Sequence, residues 1–447
     1  MKGIFIMFDS ISYNDFARKI ASNRSAFICG NGFSINFDNK FSASSLSSSL
    51  YSTHCHLKSF QHYDVVANNN YKEMMLTNYK CAKKVINKIN TERDFVAFFY
   101  DAVKFAHIII DDITVLNWLE KNNYNSKMTF GLQQLDLVKE IVFQADNYGV
   151  LNVNYEYWTI LIYYVLALKN APDDVFVIYE KNKFLKAVLV GNTVSLNNLN
   201  NTTSNNMTIF NDVTTNGMHI YLRLLFASNI LLCGNSVNVD RLENWNSYSI
   251  DVIKQFLSNF EYLMTTNYDL LLEKITQRDV YHLHGNYTKD KKRVLYESLG
   301  VTYNGVRYDL STIIVGDYFL AKSFYQIAAK FASKNKVNSQ IQIYADMIKE
   351  AICDGKSNVV VIFGLGVDND YHILRDIQVQ LEAGNTSNPH IIYCYYSEQD
   401  KDKFIDSYQK CITYSEQLSE YVKNEISVSV INSKDIINML FVRRDKI

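Results

Sequence analysis

Ala26-Phe27-Ile28-Cys29-Gly30-Asn31-Gly32 is the stretch on which the reading of this chain turns. Four apolar residues closed by glycines form the pattern of a buried strand and the turn that ends it. The pattern returns late in the chain: residues 358–363 are a continuous apolar run, followed by Gly364-Leu365-Gly366. Working outward, apolar runs at 262–265, 280–283, 310–315, 390–396 and 426–431 read as further strands. Helical spacing lies between them, at 318–332, 339–353, 371–381 and 399–424, with a short helix from Tyr268. Fully apolar strands alternating with helices predict an α/β fold, a Rossmann-like doubly wound parallel sheet covered on both faces. Ligands of such sheets bind outside the carboxyl ends of the strands, so the turns are where chemistry is expected.

The two halves of this pattern are far apart. Residues 1–50 hold the first part of the Rossmann-like domain, and 258–447 hold the remainder. Residues 51–257 read as a mostly helical insertion, with helical spacing such as Phe95, Phe98, Phe99, Val103 and Leu135, Val138, Ile141, Val142. Residues 175–190 fit helix or strand, and the Asn-, Thr- and Ser-rich residues 192–216 read as a long surface loop.

Composition excludes several classes. The 447 residues are 48% hydrophobic and carry a formal net charge of −1, so the chain as a whole has no electrostatic pull toward nucleic acid or an acidic membrane, and composition asks for no local basic patch. The basic Lys291-Lys292-Arg293 reads as a solvated loop. Met1 to Phe8 reaches Asp9 too soon for a secretory leader, and the apolar run 157–168 is shorter than the roughly 20 residues of a membrane span. The seven cysteines contain no CxxC pair and fit free thiols in a reducing compartment, so a cytoplasmic location is expected.

Four short motifs carry candidate chemistry. In Gly30-Asn31-Gly32-Phe33-Ser34 the glycines would let backbone amides approach a diphosphate, or would simply form a turn. Thr265-Thr266-Asn267-Tyr268-Asp269 offers polar groups for a sugar and a carboxamide, or a helix cap from Thr266 or Asn267. In Tyr281-His282-Leu283-His284-Gly285 a histidine can act as general base, or be a buried structural residue. A metal pair is a further reading, but no Asp, Glu or Cys near it in sequence completes a ligand set. Phe363-Gly364-Leu365-Gly366-Val367-Asp368-Asn369-Asp370 is a second strand–glycine–helix unit, for the other half of a dinucleotide or as a tight connection.

In this order the four motifs resemble those of the sirtuin-like NAD-consuming domains, which carry a GAG-x-S turn, a TQN-x-D segment, a His-Gly and a late glycine turn. Asn31 in place of the alanine, with Ile35-Asn36-Phe37-Asp38 after it, resembles bacterial sirtuin-like proteins. Ile313-Ile314-Val315-Gly316-Asp317-Tyr318 resembles their "DY" segment. The resemblance covers roughly residues 20–45 and 258–400.

The resemblance implies NAD as substrate. Sirtuin deacylases carry a zinc module of two CxxC pairs. This chain has none, so no zinc and no deacylation are expected. Zinc-free bacterial relatives look like NAD hydrolases, several of them effectors of anti-phage defence. By the same resemblance Asn267 would hold the ribose and the attacking water. His284 would orient the ribose hydroxyls or take the water's proton. Asp269, with Tyr268, would face the nicotinamide carboxamide. Gly30, Gly32 and Ser34 would cradle the diphosphate, Gly364 and Gly366 would face the adenosine half, and Thr266 and Asn31 would line the same cleft. A toxic hydrolase needs control by self-association or a partner protein. The alternative is a non-catalytic sensor of NAD or ADP-ribose.

Overall fold

A computed structural model describes residues 8–59, 63–66, 72–125, 134–178, 181–193, 209, 212–233, 238–287, 298–303, 306–310, 313, 344–367, 370–412 and 416–444. Its strands, in chain order, are β1 Phe8–Ser10, β2 Ser25–Cys29, β3 Tyr63–Val66, β4 Tyr262–Thr265, β5 Tyr281–His282, β6 Ser298–Tyr303, β7 Val306–Asp309, β8 Val359–Phe363, β9 His390–Tyr395 and β10 Ser427–Asn432. Seven of them form one sheet in the order β1-β10-β9-β8-β2-β4-β5, every pair parallel. The fold is α/β and Rossmann-like, with a helical insertion, as the alternating runs predict. From β2 the chain winds one way through β4 and β5, and the other way through β8, β9 and β10. The winding therefore reverses between β2 and β8, the position at which such sheets open a crevice for ligands.

Apolar runs become strands here because both faces are covered. All five residues of β2 and of β8, and all six of β9, are buried. Alternate residues Phe27, Cys29, Val361, Phe363, Ile392 and Cys394 share one core with Phe256, Phe260 and Phe441. The rings of Phe27 and Phe260 lie 5.0 Å apart. Tyr393 belongs to the opposite set of positions and stacks on Phe404 at 4.1 Å.

The chain separates into two compact units. A sheet unit takes Met1–Ser42, Gly234–Asn286 and Gln342–Ile447, and a helical unit takes Ala43–Cys233 and Tyr287–Ile341. The expected divisions at 50/51 and 257/258 thus differ from the structure, and the helical unit also claims a second, later segment. The reason is pairing. β6 runs antiparallel to both β3 and β7, so 298–309 is tied to the first segment of the helical unit.

In that unit the helix Glu92–Asp111 begins at Thr91, whose side chain accepts the Asp94 amide. The helix Trp158–Leu168 is buried at every position, as an all-apolar helix must be at the centre of a bundle. Among the described residues no helix is long and apolar enough to cross a membrane. The ambiguous 175–190 resolves into a helix over Lys183–Val190.

Some expectations differ or cannot be placed. The helix from Tyr268 begins at Leu271, and the strand at 280–283 is two residues long. The expected helix at 339–353 is a short Tyr344–Ile348 running into a π-helical Lys349–Asp354. Residues 194–208 of the surface loop, the basic 291–293, the helix at 318–332 and most of the strand and "DY" segment at 310–318 lie outside the described residues.

Candidate functional site

Strand register explains why four distant motifs meet. Cys29 of β2 is level with Phe363 of β8 on one side and Thr265 of β4 on the other, and Thr265 is level with His282 of β5. One row across four neighbouring strands therefore ends them all. The next residues, Gly364, Gly30, Thr266 and Leu283, leave the sheet side by side at its carboxyl edge.

The two glycine turns are packed against each other. The Gly30 amide donates to Phe363 O at 3.0 Å and the Gly32 amide to Gly364 O at 2.9 Å. A Cβ on Gly32 would stand 2.7 Å from Gly364 Cα, and one on Gly30 would stand 2.6 Å from Gly364 O. Gly364 itself has φ of +59°. Both of these amides are thus already used, and the glycines are needed for turn-to-turn contact whatever is bound. The expected diphosphate cradle from Gly30 and Gly32 has no free amide at those two positions. Asn31 is exposed, and its Nδ2 donates to Phe41 O, closing the loop after the turn. Gly366 is exposed beyond the second turn.

The polar loop after β4 is built differently. Asn267 Nδ2 donates both its protons, to Gly30 O at 3.1 Å and to Ser34 Oγ at 3.0 Å. Ser34 Oγ in turn donates to Asp269 Oδ2 at 2.8 Å. Asp269 Oδ1 accepts the Leu271 amide at 3.0 Å. With the amide nitrogen fully committed, the carbonyl Oδ1 is the acceptor that the Asn267 side chain has left to offer. Neither Thr266 nor Asn267 caps the helix Leu271–Thr276; Asp269 accepts the amide of its first residue. Burial pushes the Asp269 carboxyl up from its ordinary value, against the Ser34 and Leu271 hydrogen bonds that pull it down. The Thr266 amide donates to Cys29 O at 3.0 Å, and its side chain is buried, whereas Tyr268 is half-exposed.

The two histidines, two residues apart, have opposite company. His282 faces inward, with Nδ1 2.8 Å from Asn267 O and Nε2 2.6 Å from Glu273 Oε1. Burial disfavours its charged form, but the Glu273 carboxylate, the Asn267 carbonyl and the Asp269 charge together outweigh burial and raise its pKa. His282 thus clamps the backbone of Asn267 to the helix Leu271–Thr276. His284 instead meets residues that follow the second glycine turn. Its Nε2 lies 3.3 Å from Asp370 Oδ1, and its ring stacks on that of His372 at 6.0 Å and 13°. Burial holds His372 well below the usual imidazole value, and the charges of His284 and Arg375 push the same way.

The fold therefore gathers Ser34, Asn267 and Asp269 into one hydrogen-bonded group tied to Gly30, and His284 into a second group with Asp370 and His372. Sequence reasoning missed Glu273, and gave no role to Asp370, which ends the fourth motif, or to His372. The signal for the last two was present, a carboxylate and an imidazole two residues apart where a helix follows a glycine turn.

No protein-family model, curated protein or solved structure matches this chain. The site has to be read from its own geometry.

Proposed function

We propose that the chain cleaves the nicotinamide–ribose bond of NAD, releasing nicotinamide and ADP-ribose. The observation that carries this reading is the Asn267 carboxamide, pinned by Gly30 O and Ser34 Oγ of the turn after β2, which borders the winding reversal of a parallel sheet. A fixed acceptor at that place suits a ribose hydroxyl or a water poised beside the sugar.

The chemistry asks little of an acid, because nicotinamide leaves as a neutral base. As the bond breaks, its electron pair goes to the ring nitrogen and positive charge spreads over the ribose. Water adds to the anomeric carbon and loses a proton. Asn267 Oδ1 would orient that water or the adjacent hydroxyl. His284, with Asp370 beside it, would align the ribose hydroxyls or take the proton. Asp269 enters this scheme as support for Ser34 and for the helix, with Tyr268 as the exposed neighbour able to lie against the nicotinamide. Gly30, Gly32 and Gly364 shape the floor. A hydrolase of this kind depletes a cofactor the cell needs, which supports a role as a gated effector of anti-phage defence. Control would come through self-association or a partner protein.

The test is incubation of the purified protein with NAD, following nicotinamide and ADP-ribose over time beside the Asn267→Ala and His284→Ala proteins. Cleavage by the wild type and a loss of roughly two decades or more in each variant is expected. Full turnover in either variant would remove the assignment.

A further inference from the structure

We propose that His284, Asp370 and His372 form a binding site for one divalent transition-metal ion. Among the described residues they are the one group of three metal-ligating side chains whose ligand atoms all lie within 4.8 Å of one another. The inference goes beyond the NAD reading and does not depend on it, since it uses only the placement of three side chains.

The donor set is two imidazole nitrogens and one carboxylate oxygen. That mixture suits zinc, cobalt, iron, manganese or nickel rather than calcium or magnesium, which prefer oxygen throughout. A tetrahedral ion with bonds of about 2.1 Å holds its ligand atoms roughly 3.4 Å apart, so the three groups need to close by on the order of 1 Å. Three protein ligands leave a fourth position open for water or for an oxygen of a bound ligand.

Two features of the fold aim these residues together. His284 leaves β5 through a turn that Gly285 completes at φ +85°. Asp370 stands at the N-cap of the helix Tyr371–Gly384, where an aspartate normally accepts an amide of its own helix. Here it makes no such cap, and its carboxylate lies against His284. His372 follows on the first turn and is fully buried, so its ring is held in place by packing. Arg375, one turn further and buried, opposes a cation and keeps the site weaker than a structural zinc centre.

An ion here would take up the imidazole that the proposed hydrolysis uses. Metal occupancy and proton uptake by the ligating nitrogen of His284 exclude each other.

The probe is Co²⁺, titrated into the full-length chain after chelator treatment and followed by its visible d–d absorption, with Zn²⁺ competition by calorimetry. One Co²⁺ per chain, displaced by Zn²⁺, is expected. Asp370→Asn and His372→Gln should each weaken binding by at least the roughly 10–100-fold that loss of a mere outer-shell partner costs. Asp370→Asn is nearly isosteric and only partly buried, so it decides the matter if His372→Gln fails to fold. The control is His107→Gln, which removes an exposed His–Asp pair at 3.0 Å on another helix and should change nothing. Absence of saturable binding, or unchanged binding by Asp370→Asn, would overturn the proposal. Neither result depends on NAD turnover, so the metal site and the hydrolase stand or fall separately.

Discussion

The glycine turns after β2 and β8 and the polar loops after β4 and β5 leave the same edge of the same sheet, yet they are made of different material. The first pair is held backbone to backbone, with amides spent on carbonyls and no room for a Cβ. The second pair is held by side chains: Asn267 to Ser34, Ser34 to Asp269, His282 to Glu273. Glycine-rich turns at strand ends invite a ligand reading, but here their glycines are explained by contact with each other. The polar loops invite a capping reading, but Asn267 is not the cap, and its carboxamide is fixed from two sides. A motif's residue types state what it can do, and its neighbours decide what it does.

That contrast can be broken. The largest effect is expected for Gly364→Ala, which forces a Cβ to within 2.7 Å of Gly32 Cα at a positive φ. Overpacking and the left-handed backbone together should cost about 3 kcal/mol or more, read by chemical denaturation. If stability is kept while NAD affinity collapses, the turns are a cradle after all. Next comes His282→Ala, which strips Glu273 and the Asn267 carbonyl of their partner. A loss of about 2 kcal/mol is expected, below the full cost of breaking a buried pair because Glu273 is partly exposed. NAD cleavage should fall with it as Asn267 loosens. Unchanged cleavage at saturating NAD would show that the clamp serves the fold alone.

A smaller effect sharpens the contrast with a histidine remote from these loops. Burial, with the Lys19 charge adding to it, lowers His390 from 6.5 to about 4. The neutral ring accepts from Lys19 at Nδ1, 3.2 Å away, and donates from Nε2 to Ser429 Oγ at 2.9 Å. Between these two values the unfolded chain binds the extra proton, so stability is full above pH 6.5 and is lost as pH falls toward 4. The ceiling is about 3 kcal/mol, at 1.36 kcal/mol per unit, and partial solvent access makes about 1–2 kcal/mol the expected size. Denaturation midpoints of the wild type and His390→Gln between pH 4 and 7 check this. An equal slope in both proteins would assign the loss to other groups.

How much of this could be read in advance follows from range. The runs at 26–29, 262–265, 358–363, 390–396 and 426–431 announced strands because burial on both faces writes itself as unbroken apolar sequence. β1 was invisible: Phe8-Asp9-Ser10 has one apolar residue and is a strand only because β10 lies beside it. The candidate site was legible as a set of residues and illegible as a set of partnerships. Ser34 and Asp269 are 235 positions apart, and no local pattern joins them. The same holds for His284 and Asp370, which left a two-histidine motif without a carboxylate until the fold supplied one. Glycine is the hardest residue to read, since close approach by a phosphate and close approach by another loop demand the same absent side chain.

The strand order carries a consequence for how the molecule is made. β2, near the start, sits between β4 and β8, and β1 has β10 as its neighbour. At about 5–20 residues per second, a ribosome needs roughly 20 s to a minute to travel from Cys29 to Phe363. Through that interval β2 has only β4 beside it, and the helical unit is itself incomplete until β6 arrives to pair with β3. The Asn267 group needs only β2 and β4, but the glycine-turn contact and the group of His284, Asp370 and His372 come into being only when β8 slides in beside β2. A nascent chain that stops short of β8 therefore lacks the packed glycine turns and the pairing of His284 with Asp370.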